Sequence, residues 1–268
     1  VISHLAAAIM KYTALITGAS KGIGFELAKL FAKEGCSLIL VARNADQLQQ
    51  IKSSFEKDYK ISVQVIAKDL SLPNAAEAIF REAEAPHITY LVNNAGFGDF
   101  GPFADTEWER YERMIQLNIT TLTRLCHLFI QRESSQNNRQ ITRRILNVCS
   151  TAAFQPGPMM AVYFATKAYV LHFSEAIGYE VKNRGITVTS LCPGPTGTFF
   201  MEDSNMKKSS MVKGRKLPMA ADVAKVGYQA MLKGKSVAIH GTRNKLIAFG
   251  VRLLPRKWVT RLSGKCLK

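Results

Sequence analysis

Residues 12–24 read YTALITGASKGIG, an apolar run that breaks into Thr17-Gly18-Ala19-Ser20-Lys21-Gly22-Ile23-Gly24 and then resumes with a different period. Tyr12 to Ile16 has strand composition, whereas Ile23, Leu27, Leu30 and Phe31 recur every three to four residues, as on one face of a helix. Glycines between a strand and a helix allow a tight turn and a close backbone approach to a ligand, and the free N–H groups at a helix start favour an anion. The stretch therefore predicts a strand–turn–helix unit suited to a pyrophosphate. Its spacing, T-G-x-x-x-G-x-G, is not the G-x-G-x-x-G of the usual dinucleotide fingerprint, so the rest of the chain has to decide what the turn belongs to.

The alternation continues outward from this unit. Further strand candidates are Ser37 to Val41, Ser62 to Ala67, Ile88 to Val92, Arg144 to Val148, Ile186 to Leu191 and Ser236 to Ile239, with helical spacing between them. Near-continuous apolar strands such as SLILV fit burial on both faces of a parallel sheet, and right-handed crossovers then give an α/β doubly wound sheet of about seven strands flanked by helices on both faces. The polar stretch 132–143 reads as a surface loop, which leaves one domain over residues 10–241. Residues 195–219 have the composition of a mobile lid or of a loose loop, and residues 1–9 read as an extraneous extension ahead of Met10.

Further short motifs follow the strands in order. Asn93-Asn94-Ala95-Gly96 closes the fourth, Asn118 lies in the next helix, and Ser150 follows the fifth. Tyr163-x-x-x-Lys167 opens the helix after that, and Pro193-Gly194-Pro195-Thr196-Gly197-Thr198 follows the sixth strand. In this register the chain resembles the short-chain dehydrogenase/reductase family from Thr17 to Thr198, with the outline of the bacterial members once grouped with the D-alanine-transfer operon protein and, more distantly, of the ketoacyl and steroid reductases. The resemblance implies a Rossmann-like fold and a nicotinamide-dependent carbonyl–alcohol oxidoreductase. It implies a catalytic set of Asn118, Ser150, Tyr163 and Lys167, and a cofactor contact from each motif: Gly18, Ser20, Lys21, Ile23 and Gly24 in the turn, Asp69 and Leu70 flanking adenine, Asn94, Ala95 and Gly96 after the fourth strand, Tyr163 and Lys167 themselves, and Pro193, Gly194, Thr196 and Thr198 after the sixth.

The chemistry of these residue types is consistent with that set. Residues at i and i+4 share a helix face, so Lys167 is expected to sit near the Tyr163 hydroxyl and to lower its pKa, making it a usable proton donor and acceptor. Ser150 at a strand end would hydrogen-bond the same carbonyl oxygen. By resemblance Lys167 also binds the nicotinamide ribose and Asn118 anchors a water; a polar residue inside a helix can instead simply bond a neighbouring backbone. Cys149 has no histidine near it in sequence and reads as a small core residue. At the end of the second strand, where an acidic residue would bond a ribose hydroxyl, this chain has Arg43, and with Lys21 it forms a pair suited to a 2′-phosphate, which selects NADP(H). Phe97 to Phe103, Thr151 to Met160 and Phe199 to Met211 are expected to wall the substrate pocket, with Phe154, Met159, Met160, Phe199, Phe200 and Met201 suiting a lipophilic carbonyl or alcohol.

Composition limits the remaining classes. A mean hydropathy of −0.01 with 47% hydrophobic residues describes an ordinary globular chain, no apolar run reaches the length of a membrane span, and a cytoplasmic location is expected. Five scattered cysteines and five scattered histidines lack disulfide or metal-ligand spacing, and no metal site is expected. The net charge of +16 is uneven: residues 204–268 carry 16 Lys or Arg against one acid. The tail, residues 242–268, has eight Lys or Arg, no acid, and a broken apolar pattern around Pro255. It fits a basic helix on an anionic membrane surface, which would make the protein membrane-peripheral; a cover over the sheet or a subunit interface, or an acidic partner, are the other readings, and nucleic acid is not expected. Every catalytic motif lies before residue 199, so the tail is expected to be separable from the chemistry. Apolar residues beyond one stripe on helices 106–131 and 162–183 predict a homodimer or homotetramer. A non-catalytic NADP-binding sensor or membrane-docking scaffold on the same fold is the alternative class, disfavoured by an intact Ser150, Tyr163 and Lys167.

Overall fold

The computed structural model describes residues 12–85, 87–134, 142–198, 200, 204 and 217–267. Seven strands form one sheet: β1 (Thr13–Thr17), β2 (Ser37–Ala42), β3 (Val63–Ala67), β4 (Tyr90–Asn93), β5 (Arg143–Val148), β6 (Ile186–Cys192) and β7 (Val237–Ile239). Their order is β3-β2-β1-β4-β5-β6-β7, with every neighbouring pair parallel. All seven sequence-predicted strands are present, displaced by at most two residues at their ends. The winding reverses between β1 and β4, where a crevice opens at the carboxyl ends of the strands.

Alternation along the strands distributes the core between two faces. Ala14, Ile16, Leu38 and Leu40 pack with Leu27 and Phe31 of α1 (Gly22–Lys33), Leu48 of α2 (Ala45–Tyr59) and Val223 of α7 (Ala220–Leu232). Leu15, Ile39 and Val41 pack instead with Ile79 of α3 (Ala75–Glu82), Phe129 of α5 (Leu122–Ser134) and Val170 of α6 (Ala161–Glu180). Burial on both faces is why these strands read as continuous apolar runs.

Two features shape the end of the sheet where the crevice lies. Between α4 (Trp108–Ile115) and α5 the chain passes through a π-helical stretch, Gln116–Thr121, which carries Asn118. The tail forms α8 (Thr242–Gly250) and α9 (Arg256–Leu267), broken at Pro255 as the sequence suggests. Val259, Ser263 and Leu267 of α9 are buried, and Leu267 joins Tyr111, Met114, Ala152, Met160, Tyr163 and Phe164 in a third apolar cluster. The tail is therefore part of the site's wall, contrary to the expectation that it is separable. No described helix is long and apolar enough to cross a membrane. The expected extension at residues 1–9 and most of the expected lid, residues 201–203 and 205–216 together with Phe199, lie outside the described residues.

Candidate active site

A cleft of about 1030 Å³ runs along the carboxyl ends of the strands, from Arg43 and the glycine turn past Gly96 to Tyr163 and Leu267. Of the catalytic and cofactor-contact residues expected from sequence, all but Gly24 and Asn118 line it.

The turn is tied to the end of β4. Thr17 Oγ1 accepts the backbone N–H groups of Asn94 and Ala95 at 3.0 and 3.1 Å, and Asn94 Nδ2 donates to the carbonyls of Thr17 and Gly18 at 3.0 Å each. Gly18 and Gly22 have φ of +64° and +61°, a region that favours glycine. Gly24 has a packing role and does not face the cleft: a Cβ there would lie 2.2 Å from the Gly18 carbonyl oxygen and 2.4 Å from Asn94 Nδ2. Ser20, Lys21 and Ile23 are left to line the cleft at the start of α1.

Arg43 stands exposed just beyond β2, and Asn44 after it caps α2 by accepting the N–H of Gln47 at 2.9 Å. Asp69, after β3, is held on both carboxylate oxygens. Oδ1 accepts from the backbone N–H and hydroxyl of Ser71 at 2.9 and 2.7 Å, and Oδ2 accepts from Arg113 at 2.7 Å. Burial opposes ionisation of Asp69, but the Ser71 hydrogen bonds, followed by Arg113 and Arg43, outweigh it and hold the carboxyl below its ordinary pKa. Arg113 also lines the cleft, a residue the sequence reading missed because its partner is 44 positions away.

At the other end, Tyr163 and Lys167 lie one turn apart on α6, both buried. Lys167 Nζ donates to the Val148 carbonyl at 2.9 Å and lies 5.8 Å from the Tyr163 ring centre. The expected lowering of the Tyr163 pKa is not what the geometry gives. Burial raises it, Cys149 adds to the rise, and a hydrogen bond with Ser150 opposes it; burial likewise lowers the pKa of Lys167. Ser150 follows β5 and caps the short helical turn Thr151–Phe154, its hydroxyl accepting the Ala152 N–H at 3.1 Å. Asn118 clasps the backbone of Phe97: Nδ2 donates to the Phe97 carbonyl at 2.9 Å and to Thr166 Oγ1 at 3.1 Å, while Oδ1 accepts the Phe97 N–H at 3.2 Å. Its side chain thus holds the loop after β4 in place. Cys149 donates from Sγ to the Lys167 carbonyl at 3.1 Å, anchoring α6 to the end of β5.

The arrangement suits a dinucleotide. A Cβ on Gly96 would lie 3.6 Å from Lys167 Nζ, so glycine there keeps the space before the lysine open, and the cleft is continuous from that point to Arg43. The substrate end is walled by Phe97, Met160, Phe164, Phe200 and Leu267, with Glu107, Glu109 and Arg110 on its polar side. Gly98 lets these aromatic groups close, since a Cβ there would lie 3.0 Å from both Phe200 and the Tyr163 ring. Phe154 packs into the sheet core and Met159 does not line the cleft, so two of the expected wall residues are elsewhere. Leu267 and the polar rim were not foreseen. Among the described residues no group of three His, Cys, Asp or Glu is placed to hold a metal.

A family model for short chain dehydrogenases matches residues 12–209. A 7beta-hydroxysteroid dehydrogenase of Mediterraneibacter gnavus is 28% identical over 235 residues, 86% of each chain. A short-chain dehydrogenase from Sphingobium yanoikuyae, solved in complex with NADPH, is 31% identical with a TM-score of 0.79, covering 90% of this chain and 94% of that one. A 3-ketoacyl-(acyl-carrier-protein) reductase from Brucella melitensis, solved with NADH, is 27% identical with a TM-score of 0.75, covering 87% and 98%.

Proposed function

Since the chain belongs to the short-chain dehydrogenase family, whose members are oxidoreductases of hydroxyl and carbonyl groups, we propose that it interconverts a carbonyl and an alcohol on a lipophilic substrate, using NADP(H) and Tyr163 as general acid and base. One observation carries this reading: the Tyr163–Ser150 pair and Lys167 occupy one end of a single cleft whose other end holds the glycine turn and Arg43. A nicotinamide cofactor, when bound, would supply or take up the hydride. Tyr163 gives its phenolic proton to the carbonyl oxygen during reduction and takes one back during oxidation. The Ser150 hydroxyl bonds the same oxygen as charge develops on it. Lys167, held by the Val148 carbonyl, offers its remaining donors to the ribose hydroxyls. Asn118 keeps Phe97 and the loop before it in register with Lys167. A screen of carbonyl compounds followed by NADPH oxidation tests the reading; no turnover across aliphatic, aromatic and steroidal ketones would sink it.

Arg43 and Lys21 support the choice of phosphorylated cofactor, both lining the end of the cleft opposite Tyr163. Arg43→Asp removes the phosphate partner and installs a ribose-hydroxyl acceptor. It is expected to shift the NADPH:NADH preference by about 1.5–3 kcal/mol, roughly 10- to 150-fold, for loss of a charge-assisted hydrogen bond. Steady-state kinetics with both cofactors checks it, and equal use of the two by the unmodified protein overturns it.

A homodimer or homotetramer is expected from the outer faces of α4 and α6, where Trp108, Tyr169 and Tyr179 are exposed, Tyr179 by 84%. Sedimentation at micromolar concentration should give a species of at least twice the chain mass; a monomer alone rejects it. An anionic membrane surface is the partner this reading gives the basic tail, in a cytoplasmic, membrane-peripheral protein.

A further inference from the structure

We propose that α8 and α9 dock on an anionic lipid surface and that the substrate passes from that surface into the cleft beside the wall that α9 contributes. This rests on the carbonyl–alcohol reading above and adds where the substrate comes from. In α9, Val259, Ser263 and Leu267 recur every four residues and face inward, and Leu267 is 1% exposed against Tyr163 and Met160. Gly264 sits close to Pro158, where a Cβ would come within 3.3 Å. Trp258, Arg261, Leu262 and Lys265 recur at three and four residues on the solvent side. One helix therefore has a buried stripe whose last residue, Leu267, reaches the cleft, and another stripe in solvent.

The solvent stripes have the composition of an interfacial surface. Phe249, Leu253 and Trp258 are 62%, 73% and 63% exposed, large apolar groups for which water is a poor neighbour. All seven Lys and Arg between residues 243 and 265 are exposed, and no acid occurs from 242 to 268. Apolar side chains flanked by basic ones suit the boundary between acyl chains and anionic headgroups. A second copy of this chain is the poorer occupant, because two such faces would bring like charges together with no acid between them. A nucleic acid would meet the charge but leave the exposed aromatic and leucine groups in water. A lipophilic ketone or alcohol concentrates in the same membrane, which brings substrate and site to one interface.

The test uses the full chain, phosphatidylglycerol/phosphatidylcholine vesicles, pure phosphatidylcholine vesicles, and two ketones, one water-soluble and one long-chain and held in the vesicles. The unmodified protein is expected to float with the anionic vesicles only and to be released at about 0.5 M salt, where the Debye length falls to a few ångströms. The triple variant Phe249→Ser, Leu253→Ser, Trp258→Ser should lose at least about tenfold in vesicle binding. It should turn over the soluble ketone unchanged, yet lose about tenfold in rate on the vesicle-held ketone. Absence of flotation by the unmodified protein overturns the proposal. So does a triple variant that still handles the vesicle-held ketone normally, a face that dissociates an oligomer when altered in a protein that does not float, or retention by duplex DNA in its place. Flotation with turnover of neither ketone overturns the carbonyl–alcohol reading and the loading step with it, while the docking face stands.

Discussion

Tyr163→Phe is expected to lower turnover by about 10² to 10⁴ and to leave NADPH affinity within about twofold, because it deletes the proton donor and little else. The ring itself is well placed to stay: it packs 5.4 Å from Phe200 and 6.1 Å from Phe164, centre to centre, and Phe can keep both contacts. Burial raises the Tyr163 pKa, so the phenol is in its donating form throughout the neutral range. Reduction should therefore be flat with pH there and fall only as pH rises through that raised value. Oxidation needs the phenolate and should climb with pH over the same range. Single-turnover kinetics in both directions, with cofactor affinity measured by fluorescence, provide the check. Activity within tenfold of the unmodified protein would take Tyr163 out of the acid role.

The second large effect is expected at Gly24, one residue beyond the cleft lining. Gly24→Ala places a methyl group 2.2 Å from the Gly18 carbonyl oxygen and 2.9 Å from its carbon, and these are backbone atoms that cannot rotate away. Asn94 Nδ2, 2.4 Å from the same point, is held by two carbonyl hydrogen bonds and has no alternative position that keeps both. The turn has to open. A loss of about 3 kcal/mol is expected, the upper part of the range for overpacking, with no measurable binding of 2′,5′-ADP. Gly250→Ala is the control, since a Cβ there meets nothing within 4 Å and alanine is the better helix former. Urea melts of the two variants separate the cases; a Gly24→Ala protein that melts normally and binds 2′,5′-ADP would show that the turn yields more easily than its contacts imply.

Most of the scaffold was legible because its signals are local. A doubly buried strand is a continuous apolar run, and a helix after a glycine turn has a period of its own, so seven strands and the positions of Ser150, Tyr163 and Lys167 at one edge could be read in advance. What escaped depends on groups that meet only in three dimensions. Arg113 reaches Asp69 across 44 positions, and Leu267 reaches Tyr163 from the far end of the chain, with no pattern in either neighbourhood to announce it. Phe154 illustrates the reverse error: a side chain four residues past Ser150 can point either way, and it turns into the core. The Tyr163 pKa was misjudged because the i,i+4 rule gives proximity without direction. Lys167 spends a donor on the Val148 carbonyl, and desolvation, which sequence spacing does not reveal, dominates the phenol.

The lock between Thr17 and Asn94 also bears on how the chain reaches its native state. These two residues stand 77 positions apart, and β1 meets β4 only after β2, α2, β3 and α3 have been laid down between them. A nascent chain that has emerged as far as α3 contains every glycine of the turn but lacks the strand that holds it in shape. Closing so long a loop costs entropy before any contact rewards it, which makes this pairing a slow kind of step. Affinity for the dinucleotide should therefore arise with β4 docking and not with the first strand–turn–helix unit. A ligand that binds only the closed form draws that equilibrium forward by mass action, so cofactor in the cell would act on newly made chains as a folding aid before it acts as a reactant.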